Sequence, residues 1–104
     1  MKSVNDEYGA NGVALSPQVP RANGTAQVFY NGLLAKDGAS DVYARVGFGQ
    51  RWKDVHDYKM SRSKTGFEVA VPVSYADTLN VCFKDNANHW DNNSGKNYSF
   101  DTTY

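Results

Sequence analysis

The chain has 104 residues, of which 11 are basic and 11 acidic, so its formal net charge at pH 7 is zero. This length corresponds to one domain with a single core, and the neutral balance argues against nucleic-acid or polybasic membrane binding. A lone cysteine, Cys82, excludes an internal disulfide and a cysteine-based zinc site, and no apolar run is long enough to span a bilayer.

The first third of the chain predicts a polar lead-in followed by two strands. Residues 1–12 are mostly polar and are expected to form a lead-in or linker. A short strand is predicted at 13–15, ended by the prolines that follow it, and a longer strand at 25–31, where apolar residues alternate. Asn31 and Gly32 form a tight-turn dipeptide, and a loop is expected from there to Ser40.

Residues 41–48, DVYARVGF, show the clearest alternation in the chain. Four apolar side chains point to one face of the predicted strand, which places Tyr43 and Arg45 on the opposite face. An aromatic ring and a guanidinium on that second face indicate a half-exposed surface suited to binding. The strand leads into residues 49–54, a polar loop that carries Trp52.

Alternation also predicts strands at 67–73 and 78–84, with shorter strands at 58–61 and 98–103. Six to eight short strands at about ten-residue spacing, with no helical pattern of useful length, are typical of a sandwich. The predicted fold class is therefore all-β, an immunoglobulin-like sandwich of two antiparallel sheets, with a closed barrel as the alternative. Residues 13–104 are expected to form this single domain.

The least ordinary stretch runs from Phe83 to Tyr98 and carries Trp90 in almost wholly polar surroundings. Trp52 and Trp90 both follow a strand and have amide and carboxylate neighbours. They either fold back to cap the core or stand exposed to bind a ligand. An indole face is flat, apolar and electron-rich, so it suits the C–H face of a pyranose ring, while amide, carboxylate and guanidinium groups suit its hydroxyls.

Three segments together resemble family 25 of the carbohydrate-binding modules, with the related family 26 as the second choice. They are FKDNANHWDNNSGKNYSF at 83–100, VYARVGFGQRW at 42–52 and the NG-L-A segment at 31–35, supported by Met60 and Gly66-Phe67. The resemblance covers residues 13–104. Members of the family often carry a His or Tyr on the strand before the first Trp; here the candidates are Tyr43 and Arg45, and either or both could contact ligand.

The resemblance implies a non-catalytic module that tethers a linked, secreted bacterial amylase to its substrate. The implied partners are starch, amylose, glycogen and maltooligosaccharides, and the implied location is extracellular. Trp52 and Trp90 would form an angled platform that follows the curve of an α-1,4-linked chain. The candidate carbohydrate-binding residues are Trp52, Trp90, Tyr43, Arg45, Asn92, Asn93 and Asp91. Asp91 has a second interpretation, in which it holds the loop.

No signal peptide is recognisable, and we expect the chain to be a monomeric module cut from a larger protein, without a cofactor or metal and with no nucleic-acid or membrane partner. The rival interpretation is a structural or protein-interaction sandwich, fibronectin-like, with buried loop tryptophans. Catalysis by a carboxylate pair is a weaker alternative, because so small a sandwich implies no deep cleft. The spacing that begins at Asp85 does not fit an EF-hand, which leaves a calcium site of another type as a further weak alternative. His56 and His89 are expected to be ordinary surface histidines.

Overall fold

The computed structural model describes residues 8–17, 19–64 and 66–104, and these residues form nine strands. The strands are β1 (Val13–Ser16), β2 (Thr25–Tyr30), β3 (Val42–Phe48), β4 (Lys53–Lys59), β5 (Ser61–Ser63), β6 (Gly66–Pro72), β7 (Leu79–Asp85), β8 (Trp90–Asp91) and β9 (Tyr98–Phe100). Residues 1–7 of the predicted lead-in lie outside the described residues.

The strands form two sheets packed face to face. The first sheet has the order β1-β2-β6-β5, and the second has the order β4-β3-β7 with β8 and β9 on the far edge of β7. Each named strand pair is antiparallel. The predicted all-β, two-sheet antiparallel sandwich is therefore confirmed, and the two-residue β8 brings the strand number slightly above the predicted six to eight.

Two segments differ from the predictions in detail. The predicted loop after Gly32 contains a short helix, α1 (Leu33–Lys36). The single strand predicted at 58–61 is divided, because β4 belongs to the second sheet and β5 to the first. Met60 lies between them, buried, and its N–H donates to the carbonyl of Val42 at 2.9 Å. That contact fixes the point at which the chain crosses between the sheets.

The inward faces of both sheets supply the core. The ring of Tyr30, from β2, stacks on that of Phe83, from β7, with centroids 4.0 Å apart and planes 21° apart. Around this pair, Val28, Val46 and Val81 are almost completely buried, and each such side chain contributes about 1.5–3 kcal/mol by its burial. Neither tryptophan belongs to this core cluster, so both are available for other roles.

The residues just before β1 also pack on the sandwich. Tyr8 meets Tyr98 and Phe100 edge to face, with ring centroids 5.0 and 5.3 Å away, and its hydroxyl accepts the N–H of Ser99 at 3.2 Å. A 3-10 turn, Gly9–Asn11, follows. Across the described ranges, no helix is long and apolar enough to cross a membrane.

Candidate functional site

The candidate site lies on the face of the second sheet that points away from the core, here called the outer face. Because Val42, Ala44 and Val46 of β3 are buried inward, the residues between them alternate outward. The register sets Arg45 opposite Cys82 on β7. Side chains that lie far apart in the sequence therefore lie close together on the outer face.

Trp52 reaches the outer face through a tight turn after β3. The N–H of Trp52 donates to the carbonyl of Gly49 at 3.2 Å, and Trp52 itself has a φ of 51°. A Cβ on Gly47 would lie 2.7 Å from Cε3 of Trp52, so the indole rests directly on the backbone of β3. The indole is half-buried by this contact and keeps part of its surface open to solvent.

Trp90 occupies the edge of the same sheet, on β8, rather than a free loop. It is paired with Lys84 of β7, and Lys84 is in turn opposite Tyr43 of β3. Its side chain is 41% exposed, a large fraction for a tryptophan in a domain of this size. Trp90 thus presents an apolar surface that the fold does not cover.

The two indoles lie on one face but cover different rows of the sheet. Trp90 aligns with the row of Tyr43 and Lys84, whereas Trp52 covers Gly47, four residues further along β3. At about 3.4 Å per residue the two rows are about 14 Å apart. Arg45 lies in the row between these two.

Arg45 is held by a bidentate ion pair with Asp57 of β4. The Nε–Oδ1 distance is 2.7 Å and the Nη2–Oδ2 distance is 3.0 Å, while Lys84 Nζ lies 3.6 Å from Oδ2. The hydrogen bonds from Arg45 hold the pKa of Asp57 below its ordinary value and raise the pKa of Arg45. Both groups therefore stay charged over the physiological pH range.

The same cations lie over the Trp90 ring. Cζ of Arg45 is 5.0 Å, and Nζ of Lys84 is 5.6 Å, from the ring centroid, within the range of cation–π attraction. Lys84 Nζ is also 5.8 Å from the centroid of Tyr43. The result is a connected set of two aromatic rings and three charges, in which Asp57 orients Arg45 and Arg45 helps to orient Trp90.

Asp91 faces the opposite way. Its carboxylate is buried and accepts the hydroxyl of Tyr30 at 2.6 Å and that of Tyr98 at 2.8 Å. Burial, followed by the hydrogen bond to Asp91, raises the pKa of both tyrosines. The oxygens of Asp91 thus hold the core and also the start of the loop, where Oδ1 accepts the N–H of Asn93 at 3.4 Å.

Asn92 and Asn93 start the turn that joins β8 to β9. The Oδ1 of Asn92 accepts the N–H of Gly95 at 3.0 Å, and the Nδ2 of Asn93 donates to the carbonyl of Asn97 at 3.2 Å. Asn92 is exposed, and its Nδ2 has no hydrogen-bond partner among the described residues. These two amides do not join the row of Arg45; they line a groove beside β8.

Two members of the outer-face set were not among the predicted site residues. Lys84 alternates outward in the TLNVCFK strand, so its position could have been found from the pattern. Asp57 gave no such signal, because nearly all of β4 is exposed and lacks alternating apolar residues.

The histidines lie in separate local pairs. Nδ1 of His89 is 2.8 Å from Asp85, and Nε2 of His56 is 3.0 Å from Asp54. In the part of the chain that the structure describes, no three His, Cys, Asp or Glu side chains are grouped to hold a metal ion.

Comparison with known families places the chain among carbohydrate-binding modules. The model of the starch/carbohydrate-binding modules of family 53 matches residues 26–81, from β2 into β7. The matched range contains Tyr43, Arg45 and Trp52, and ends before Trp90. A starch-binding module was predicted, but the matching family is neither 25 nor 26. No curated protein and no solved structure matches the chain.

Proposed function

The chain belongs to family 53 of the starch/carbohydrate-binding modules, and from this premise we propose that it binds α-1,4-glucans through the outer face of the second sheet. The observation that carries the proposal is the placement of Trp52 and Trp90 on one face, with neither indole in the core. A polysaccharide is the partner that the family implies; the specific contacts are our proposal.

The chemistry of the face suits a sugar chain. Each indole offers a rigid apolar surface for the C–H face of a glucose ring, and stacking removes both surfaces from water. Arg45, in the row between the indoles, and Lys84, in the row of Trp90, provide N–H donors, and Tyr43 provides a hydroxyl. With so few contacts we expect a Kd in the micromolar to millimolar range, which corresponds to about −8 to −4 kcal/mol.

The separation of the indoles favours a curved chain. The two rows are about 14 Å apart on a sheet that twists from strand to strand, so glucose rings stacked on Trp52 and Trp90 would not be coplanar. An α-1,4-linked chain turns in this way, whereas cellulose is flat. This supports maltooligosaccharides, amylose and glycogen over β-1,4-linked glucans as ligands.

We further propose that the module is non-catalytic and acts in cis. Bound to insoluble starch, it would hold a covalently linked amylase domain close to its substrate and raise the effective substrate concentration there. This role implies a secreted, extracellular parent protein and a module that works as a monomer. The fibronectin-like alternative requires buried loop tryptophans, and the 41% exposure of Trp90 weighs against it.

The direct test is a tryptophan-fluorescence titration with maltooligosaccharides, with cellooligosaccharides of equal length as the comparison. We expect saturable quenching or a spectral shift with the first series alone. Trp90→Ala should weaken binding at least about tenfold while the melting temperature stays nearly constant, because the lost indole is exposed and lies outside the core.

Tyr104→Ala is the matched control, since this aromatic side chain is 89% exposed and its neighbour Arg21 contacts only its carbonyl oxygen. It should bind maltooligosaccharides like the unaltered protein. A protein that responds to no α-glucan overturns the proposal. A Trp90→Ala variant that loses several kcal/mol of stability would instead support the structural alternative.

A further inference from the structure

A groove of about 500 Å³ runs along the edge of the second sheet beside β8. One wall consists of the 3-10 turn and the start of α1, including Asn11, Leu33 and Lys36. The other wall is the turn that begins at Asn92 and Asn93. Trp90 lines the groove and also belongs to the outer face, so the two surfaces meet at this one residue.

The floor of the groove is already fully hydrogen-bonded. It contains Asp91 and Tyr98, whose side chains bond to each other. The hydroxyl of Tyr30, which also donates to Asp91, accepts the N–H of Leu34 at 3.0 Å and so anchors α1 to the floor. A ligand would not have to compete for the buried carboxylate, and the groove is available without rearrangement of its base.

Both walls are held in place by the backbone. At Gly32 a Cβ would lie 2.6 Å from the carbonyl oxygen of Asn11, so the 3-10 turn and the start of α1 approach each other closely. In the opposite wall, the N–H of Asn97 donates to the carbonyl of Asn92 at 2.7 Å and closes the turn. A preformed site of this kind loses little conformational entropy on binding.

The lining combines apolar surface with neutral polar groups. Leu33 is 56% exposed, one of the few large apolar side chains in the described residues that remain open to solvent. The free Nδ2 of Asn92 lies on one wall. Asn11, an exposed residue whose side chain hydrogen-bonds to Tyr98, lies on the other. Lys36 is the cation of the lining, and it makes no ion pair among the described residues. A neutral polyol with an apolar face fits this set better than an ion or a lipid.

We propose that the groove binds at least one further glucose unit of an α-glucan whose neighbouring unit stacks on Trp90. This inference rests on the proposed function and extends the site past the sheet edge, with Leu33 against the C–H face and Asn92 toward the hydroxyls. The additional unit belongs either to the same linear chain or to an α-1,6 branch. The chemistry that binds it is the same in both cases.

The test compares three ligands by calorimetric titration: maltotriose, maltoheptaose, and a maltotriose that carries one α-1,6-linked glucose. The protein should bind at least one of the two larger ligands more tightly than maltotriose. Leu33→Ala should remove this gain, with about a fivefold loss of affinity, and leave maltotriose binding unchanged. Because Leu33 is exposed, the variant should keep its melting temperature; Tyr104→Ala, an exposed apolar change outside the groove, is the control.

Each result has a separate meaning. A loss limited to maltoheptaose assigns the groove to the linear chain, and a loss limited to the branched ligand assigns it to a branch point. If Leu33→Ala changes neither, or lowers all three affinities equally, the groove does not bind a further glucose unit, although the proposed function stands. If the unaltered protein does not bind even maltotriose or maltoheptaose, the proposed function itself fails, and the groove proposal with it.

Discussion

At Gly47 the absence of a single side-chain carbon lets the Trp52 indole lie on β3. Gly47→Ala should push the indole off the sheet, because the added Cβ would come within 2.7 Å of Cε3 and 3.2 Å of the Trp52 Cβ. We expect a severalfold loss of maltooligosaccharide affinity with a shifted tryptophan emission spectrum. Fluorescence titration measures both effects.

Gly9→Ala is the matched control, since a Cβ there would have no heavy atom within 4 Å. It should bind and fluoresce like the unaltered protein. Equal affinity for Gly47→Ala and Gly9→Ala would mean that the position of Trp52 on β3 does not matter for binding.

We expect Asp57 to affect the proposed site through its ion pair with Arg45 rather than by contact with ligand. Asp57→Asn removes the charge that holds the guanidinium, so Arg45 and Trp90 should lose their mutual orientation. The ion pair is partly exposed, with 38% and 31% of the two side chains accessible, and such pairs contribute about 0–1 kcal/mol to stability. We expect a clear loss of sugar affinity with a change in melting temperature of at most a few degrees.

Asp54→Asn is the comparison, because Asp54 also lies on β4 but pairs with His56. It should leave Trp90 emission and binding unchanged. Arg45→Lys keeps the charge and loses the bidentate geometry, so its sugar affinity should fall as it does in Asp57→Asn. Full sugar affinity in both variants would contradict the positioning role of Asp57.

At the scale of the element, the two residues of β8 point to opposite faces of the sheet, Trp90 outward and Asp91 toward the core. Asp91→Ala leaves the buried hydroxyls of Tyr30 and Tyr98 without their shared acceptor. We expect a loss of about 2–5 kcal/mol in the free energy of unfolding, measured by urea denaturation. Asp37→Ala, at an exposed carboxylate with an ordinary φ of −82°, should cost less than about 0.5 kcal/mol, and an equal cost for the two variants would contradict the structural role.

The central strands of the two sheets could be predicted from the sequence. Alternation located β2, β3, β6 and β7 within about a residue or two, because every second side chain of these strands enters the core. It failed for β4, whose exposed residues carry no inward apolar partners, and for Trp90, which forms an edge pair of two residues. Edge strands are defined by backbone partners, and a periodic pattern does not report those.

The position of the candidate site residues in the fold could also be predicted in part. The polar surroundings of Trp52 and Trp90 indicated exposure, and the alternation of β3 put Tyr43 and Arg45 outward. The burial of Asp91 was not readable from its polar neighbours, because it depends on two tyrosines that lie 61 and 7 residues away in the chain. The role of Asp57 depends on the register of β4 with β3, which is also a tertiary property.

At the scale of the whole molecule, Tyr30 and Tyr98 link stability to alkaline pH. Burial and the hydrogen bond to Asp91 raise both pKa values in the folded state, whereas an unfolded tyrosine titrates near pH 10. Their contribution is therefore complete below about pH 10, and above it each tyrosine should lower stability by about 1.4 kcal/mol per pH unit. Urea denaturation between pH 9 and 11 measures this slope.

Tyr98→Phe isolates the effect, since the variant has one such tyrosine fewer and should lose stability less steeply above pH 10, by about 1.4 kcal/mol per pH unit. The comparison removes the contribution of lysines, which both proteins share. Identical slopes would show that Tyr98 titrates alike in the folded and unfolded chains.

Two short strands, β8 and β9, share the far edge of β7, and this arrangement also affects the tendency of the protein to aggregate. A long, flat, unpaired strand edge is a template for another chain, and proteins avoid it with short or charged edges. Here β8, β9, β5 and β1 have two, three, three and four residues, and the seven-residue β4 is rich in lysine and aspartate. Many copies crowded on a starch granule would therefore find no strand edge in the described part of the fold on which to aggregate.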